Sequence, residues 1–287
     1  MRNIEADVAI PSEEKLANLR VKAKEIRRDD LIAIHRAGSG HPGGSLSMVE
    51  ILVSLFYGKL RHDPKNPQWP DRDRLVLSKG HGCPGLYTVL AHRGYFPKEQ
   101  LWTLRKLDSP LQGHPHRGLP GIEASSGSLG QGFAIANGMA LAGKLDRASY
   151  RVYAILGDGE CQEGAVWETA MSAAHYKLDN FCAIVDANGV QQNGPVRQLM
   201  GIEPLPEKWR SFGWHAMEAN GHRLKELFQA LDEAEATKGR PTVIVARTVK
   251  GKGVSFMEGK PEWHGKAPNA EQLEQALKEI ETRQIDG

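Results

Sequence analysis

Cysteine is scarce in this chain. Cys83, Cys161 and Cys182 are the only three, and none stands in a CxxC pair or at Cys/His ligand spacing, which argues against zinc. A sparse, odd count fits a reducing compartment. No apolar run reaches the roughly 18 residues of a membrane span, and the opening MRNIEADVAIPSEEK lacks the apolar core of a secretory leader. The chain therefore reads as cytoplasmic, with no membrane partner. Neither sign of charge dominates. Lys and Arg number 37 against 35 Asp and Glu, and a net charge of +2 gives no reason to expect nucleic acid. The absence of GxxxxGK[ST] excludes a P-loop nucleotidase. GSGHPG, Gly38 to Gly43, does fit the dinucleotide pattern GxGxxG. Helical text precedes it, however, and no second strand separates Gly43 from Asp63, so the match reads as chance.

What is present is an alternation of apolar runs with helical text. Short strands are expected at Arg74–Ser78, Val152–Leu156, Phe181–Asp186 and Thr242–Ala246, with a further one at Trp214–Ala219. Helical spacing runs from Ser12 to about Ala37, where Leu16, Leu19, Ala23 and Ile26 share a face. A second, strongly apolar helix is expected over SLSMVEILVSLFYGKL, and a small-residue helix over SLGQGFAIANGMALAGKL. The last helix has Asn269 as N-cap with Gln272 three residues on. This order implies βαβ units: an α/β fold with a parallel sheet and helices on both faces, read as one domain over residues 1–287. The stretch Ser109–Gly127 is a long Gly/Pro-rich loop, and such loops inside compact folds are often functional.

In LGDGECQEG, Asp158 stands between Gly157 and Gly159 directly after an apolar strand. Ligands of parallel sheets bind beyond the carboxyl ends of strands, and glycines there let backbone approach them. The next strand ends in VDANGV. Asn188 follows Asp158 by 30 residues, a natural βαβ crossover. One carboxylate, one amide oxygen and a carbonyl such as that of Val190 make an incomplete oxygen shell. Mg²⁺ commonly completes such a shell with phosphates and water, which implies a diphosphate ligand. The tripeptide alone is as consistent with a turn; with the strand-end Asn it is far more specific.

GDG followed at this spacing by Asn resembles the thiamine-diphosphate enzymes. AGSGHPGGSLS, LSKGHG, QGHPHR, SGSLGQGFAIANGMA, GDGECQEG, VDANGV and VKGKGVSFMEGKPEWHG sharpen the likeness to transketolase, in that family's order from Ala37 to Gly265. The resemblance implies the thiamine-diphosphate-binding fold, and thiamine diphosphate with Mg²⁺ (or Ca²⁺ or Mn²⁺) as cofactors. It implies that Asp158, Asn188 and the Val190 carbonyl hold the metal, and that Gly127, Ser128, Leu129, Gly157 and Gly159 line the cofactor. The family usually has Pro where this chain has Ser128. Glu163 and Glu168 match acidic residues at the family's dimer interface, Glu163 also beside the cofactor. Glu160 is left without a role.

His41, His81, His114 and His264 each lie in a Gly- or Trp-flanked loop. A lone loop histidine is usually a solvated turn residue, but four in matching motifs favour function. Neutral imidazole both donates and accepts hydrogen bonds, which suits sugar chemistry. The resemblance implies contacts of these four with diphosphate and substrate hydroxyls, His81 and His264 also binding cofactor. His116 is a weaker neighbour. His35, His62, His92, His175, His215 and His222 read as structural. Lys250 and Lys252, in RTVKGKG, are read as facing phosphate or ordering the loop.

The activity implied is transfer of a two-carbon glycolaldehyde unit from a ketose phosphate to an aldose phosphate, in carbohydrate metabolism of the pentose phosphate type. Members of this family need a Glu from a second α/β domain, and the 41 residues after Ala246 hold a loop and one helix. The expectation is the N-terminal, diphosphate-binding subunit of a split transketolase. It would act with a separate C-terminal, pyrimidine-binding subunit in a 2+2 heterotetramer. Alternatives are a subunit of a deoxyxylulose-phosphate-synthase-like ketol transferase and a non-catalytic diphosphate-binding subunit. A 2-oxo acid dehydrogenase subunit would not combine SGHPGG, LSKGHG and EWHG.

Overall fold

The computed structural model describes residues 11–285. Most of the stretch read above for a leader, up to Ile10, lies outside them. Helix α1, Glu13–Ala37, starts where the Ser12 hydroxyl accepts the Lys15 amide and stops at Gly38, in the left-handed region at φ 66°. Next come α2, Pro42–Leu46, and α3, Val49–Ser54, the latter running into a π-helical turn at Leu55–Lys59. The single apolar helix expected here is thus broken. Pro42 sets a new helix start inside GHPGG, and the Ser47 hydroxyl turns to the Asp186 carboxylate at 2.6 Å.

Strand β1, Arg74–Leu77, leads through a 3₁₀ turn, Gly80–Gly82, into α4, Cys83–Arg93. No helix or strand interrupts residues 104–130, as the Gly/Pro-rich text anticipates. Then follow α5, Gln131–Leu145; β2, Val152–Gly157; α6, Gly164–His175; and β3, Phe181–Ala187. A two-residue hairpin pair, β4 (Val190–Gln191) and β5 (Gly194–Pro195), precedes the short helices α7, Val196–Leu199, and α8, Leu205–Ser211. The chain ends with β6, His215–Asn220; α9, Leu224–Ala236; β7, Thr242–Arg247; and α10, Ala270–Thr282, which opens with the expected Asn269–Gln272 capping box.

Five strands form one parallel sheet in the order β1-β2-β3-β7-β6. Alternation along each strand divides the core. Tyr153, Ile155, Cys182 and Ile184 face a cluster with α1, α3, α4 and α9, whereas Val152, Ala154, Phe181 and Val185 face α5, α6 and α8. Both faces are therefore covered. A third, smaller cluster joins Leu31, Leu46, Val254, Met257, Trp263 and Ile280. It anchors the segment after β7 against α1, α2 and α10. Among the described residues, no helix is long and apolar enough to cross a membrane.

Candidate active site

The carboxyl ends of β1, β2, β3 and β7 point the same way, and the residues just beyond them meet. Gly157 is the register partner of Asp186 across β2 and β3, so Asp158 and Asn188 arrive side by side. Asp158 Oδ1 accepts the Gly159 amide at 2.8 Å and Oδ2 the Gly189 amide at 2.6 Å. Burial pushes its carboxyl pKa up, and the nearby Asp186 adds to this against the two amides. The Asn188 side-chain NH₂ donates to Asp186 Oδ2 at 3.2 Å, which fixes the amide's orientation; Asn188 Oδ1 accepts the Val190 amide at 3.1 Å. The Val190 carbonyl accepts the Lys250 ammonium at 3.0 Å. Among the described residues, no three His, Cys, Asp or Glu side chains cluster as metal ligands. A cation here would draw on one carboxylate, one amide oxygen and a carbonyl. That hard-oxygen set suits Mg²⁺ or Ca²⁺, and the buried, pKa-raised Asp158 is a group such a charge would compensate.

Asp186 and Lys79 are members of this group that the sequence reading passed over. Both are buried, and they pair with each other. Lys79 also donates to the Gly44 carbonyl at 3.0 Å, and Asp186 accepts the Ser47 and Thr248 hydroxyls. The pair therefore ties the ends of β1, β3 and β7 to α2. Glu160, without a role in the sequence, is also buried. It accepts the Ser78 hydroxyl, the Gly130 amide at 2.8 Å and the Gly157 amide at 3.0 Å, clamping the turn before α5 to the end of β2. The 3₁₀ turn after Asp158 brings residue i+3 back onto Gly157, and that spacing is the one sequence signal for it. Gly132 completes the close approach: a Cβ there would lie 2.7 Å from Ser78 Cα.

The four loop histidines converge. His41 lies just before α2, His81 in the 3₁₀ turn after β1, His114 in the long loop and His264 after a 3₁₀ turn at Pro261–Trp263. Ring centroids are 5.5 Å apart for His41–His81, 6.2 Å for His41–His114, 5.3 Å for His41–His264 and 5.0 Å for His81–His264. Burial is the main cause lowering all four pKa values. Next come His114 and Arg105 for His41, held at about 4; Lys250 for His264, at about 3; and Lys79 for His81. Arg105 adds to the effect at His114. All four are neutral imidazoles at pH 7. The Lys250 ammonium lies 2.9 Å from His264 Nδ1. It has only protons to give, so Nδ1 accepts and Nε2 carries the ring proton. His41 Nδ1 is buried with no protein partner, a polar atom left for a ligand.

These groups line one cavity of about 360 Å³, together with Gly127, Leu129, Gly157, Gly159 and Glu163. Ser128 is not in its wall; its carbonyl accepts the Gln131 amide at the start of α5. Glu168 is exposed on α6, outside the cavity, and Lys252 also lies outside it. A larger cavity, about 590 Å³ between α1, α9 and α10, holds none of the expected site residues.

A parallel α/β sheet with this cavity at its strand ends has the architecture of a thiamine-diphosphate-binding domain. Residues 19–283 match the family described as transketolase, thiamine diphosphate binding domain. The chain belongs to the transketolase family, whose members are transferases. It is 45% identical to a 6-deoxy-6-sulfo-D-fructose transketolase subunit, SqwG, of Clostridium sp. (strain MSTE9), over 93% of this chain and 98% of that one. It is 38% identical to an apulose-4-phosphate transketolase subunit of Phocaeicola vulgatus, over 94% and 96%. Human transketolase is 42% identical over 94% of this chain, which spans 43% of that protein's length. The solved transketolase of Campylobacter jejuni superposes with a TM-score of 0.87 at 35% identity, over 92% of this chain and 42% of that one.

Proposed function

We propose that this chain is the diphosphate-binding subunit of a split transketolase. It would carry a two-carbon glycolaldehyde unit from a ketose phosphate to an aldose phosphate with a separate pyrimidine-binding subunit. The observation that carries this reading is the convergence of four neutral imidazoles, three with ring centroids within 6.2 Å of His41, in one cavity with the Asp158–Asn188–Val190 oxygen set. Thiamine diphosphate, when bound, supplies the electron sink for breaking a carbon–carbon bond. Asp158, Asn188 and the Val190 carbonyl would hold Mg²⁺ on its diphosphate. Lys250 and the Gly127–Leu129 turn would flank the phosphates. His264 offers Nε2–H to a substrate oxygen, and His41 offers its unpartnered Nδ1; uncharged rings can pass protons to and from sugar hydroxyls in either direction.

Support for the partner comes from the relatives named as subunits, whose lengths this chain matches at 98% and 96%. The flank of α5 and α6 agrees with it: Ile135, Leu145 and Met171 are exposed there beside Glu163 and Glu168. The sulfofructose relative extends the donor range to test to a ketose bearing a sulfonate in place of the phosphate.

Thiamine diphosphate titrated calorimetrically into the chain, with and without Mg²⁺, tests the site. Asp158→Ala should leave a cooperative unfolding transition and weaken metal-dependent affinity roughly 10–100-fold, the scale of a lost charge-assisted contact. Unchanged affinity in the folded variant would refute the assignment.

A further inference from the structure

One histidine read as structural sits in a buried polar chain that ends at the active-site loop. His222, in the turn between β6 and α9, is 5% exposed. Its Nε2 accepts the Val249 backbone amide at 2.8 Å, which leaves Nδ1 to carry the proton and donate to Glu50 Oε2 at 2.9 Å. Glu50, on α3, is 2% exposed and takes a two-pronged contact from Arg27 of α1, which is fully buried. Burial alone would raise the Glu50 carboxyl pKa, but Arg27 and His222 outweigh it and hold it at about 2. Arg27 in turn donates to the Lys252 carbonyl at 3.2 Å and the Leu46 carbonyl at 3.3 Å. His222 and Arg27, joined through Glu50, thus reach backbone on both sides of Lys250, and Arg27 also reaches the end of α2 that follows His41.

The position of this polar relay matters. The β7 ladder ends at Arg247, and in the gap that follows the backbone has no strand partner: the Gly251 amide donates to the Gly43 carbonyl at 3.0 Å and the Lys250 carbonyl accepts the Gly259 amide at 2.9 Å, which leaves the Val249 amide to His222. Lys250 occupies that gap, with its ammonium on the Val190 carbonyl and His264 Nδ1. Gly221 lets the His222 turn close on this strand end, since a Cβ there would lie 2.3 Å from Thr248 Cγ2. A buried ion pair is a poor way to gain stability, because well-packed apolar side chains of the same volume often do as well. Apolar side chains could not, however, bind Val249 N–H and the Lys252 carbonyl.

We propose that Arg27, Glu50 and His222 are positioning residues that set the Val249–Lys252 loop, and through it the Lys250 ammonium and the His264 ring, at the cofactor pocket. The inference rests on the thiamine-diphosphate reading of that pocket.

The test uses the full chain with His222→Phe, His222→Gln and, as a control, Ile244→Val in the core of β7. Three quantities are measured: melting temperature, thiamine diphosphate affinity with Mg²⁺, and hydrogen exchange of the Val249–Lys252 amides. His222→Phe should weaken affinity roughly 10-fold or more, the scale on which loss of an outer-sphere partner acts, and speed exchange at Val249 by a similar factor. Ile244→Val should lower the melting temperature and do neither. His222→Gln, which offers one donor and one acceptor, should recover both. Wild-type affinity and protection in His222→Phe would overturn the proposal, as would equal effects in Ile244→Val or no recovery in His222→Gln. Should His222→Phe not fold, the wild-type chain decides. Its His222 ring nitrogens should report a proton on Nδ1 and shift when thiamine diphosphate is added, and unmoved signals would overturn the coupling. Failure of the wild-type chain to take up thiamine diphosphate even with the pyrimidine-binding partner present would instead sink the cofactor reading, and the exchange arm would then judge the relay alone.

Discussion

Neutrality of the histidine cluster has two consequences at the scale of the residue. His41 and His264 have folded pKa values of about 4 and 3, against an ordinary 6.5. As pH falls below about 6.5 the unfolded chain takes up protons that these rings refuse until about 4 and 3. Their contribution to stability is therefore whole above pH 6.5 and is lost progressively on acidification. Calorimetry from pH 7 to 4.5 should show a falling melting temperature, and His41→Asn should flatten that slope; an equal slope in the variant would show that His41 is not buried as a neutral ring. In the assembled enzyme, His114→Ala and His264→Ala should each lower turnover by about 10²–10⁴ while moving the melting temperature little, since a proton-handling group is lost from a loop rather than from the core. Near-normal turnover in both would mean that the cluster only shapes the cavity. Asp158, Asn188 and the four histidines could be singled out in the sequence because each stands in a short motif, Asp158 and Asn188 at strand ends and the histidines in Gly- or Trp-flanked loops. Lys79, Asp186, Glu160 and His222 were not, because their meaning lies in partners far along the chain. Asp186 meets Lys79 across 107 residues and His222 meets Glu50 across 172.

Among the elements, α5 shows how close approach is arranged. Its N-terminus lies on the end of β1 with Gly132 against Ser78, and Gly130, at φ 80°, presents its amide to Glu160. Gly132→Ala would press a methyl onto backbone at 2.7 Å, which the sheet cannot yield cheaply. The expected cost is about 1–3 kcal/mol in urea unfolding, with weakened thiamine diphosphate binding because the Gly127–Leu129 turn must shift with the helix. Gly138, on the same helix, meets nothing within 4 Å. Gly138→Ala should stabilise the isolated chain by up to about 1 kcal/mol, because it trades a poor helix former for the best one. Equal effects from the two substitutions would show that helix propensity, not contact, governs α5. The sheet itself was readable: four strands follow from short apolar runs, which suit a sheet covered on both faces, and the fifth, β6, from the mixed text WHAMEA, which reads as a further strand. The break between α2 and α3 was not, because the same apolar text suits one helix. What divides it is a hydroxyl contact from Ser47 to Asp186, 139 residues away.

For the molecule as a whole, the question is what the exposed flank of α5 and α6 meets. Leu145 is 74% exposed, Met171 54% and Ile135 40%, and Ala134, Gly138 and Ala142 lie exposed on α5 between them. Small residues on such a face let another helix come close, while Glu163 and Glu168 beside them would need hydrogen-bond donors once covered. The relatives named as subunits match this chain nearly end to end, whereas it spans 43% of human transketolase. On the function proposed above, a pyrimidine-binding chain would cover this flank and complete the cavity. The purified chain should therefore lack transketolase activity when given a ketose phosphate, an aldose phosphate, thiamine diphosphate and Mg²⁺, and should gain it when that partner is added. Light scattering should show two copies of each, since such interfaces usually close with twofold symmetry. A charge reversal, Glu168→Lys, should weaken assembly more than it changes the melting temperature of the isolated chain, because Glu168 is exposed there. Full activity from the isolated chain would place the missing acid within these 287 residues and end the split-enzyme reading. An inactive mixture that assembles and still binds thiamine diphosphate would point instead to a sugar outside the panel, and the sulfonated ketose is the first to add.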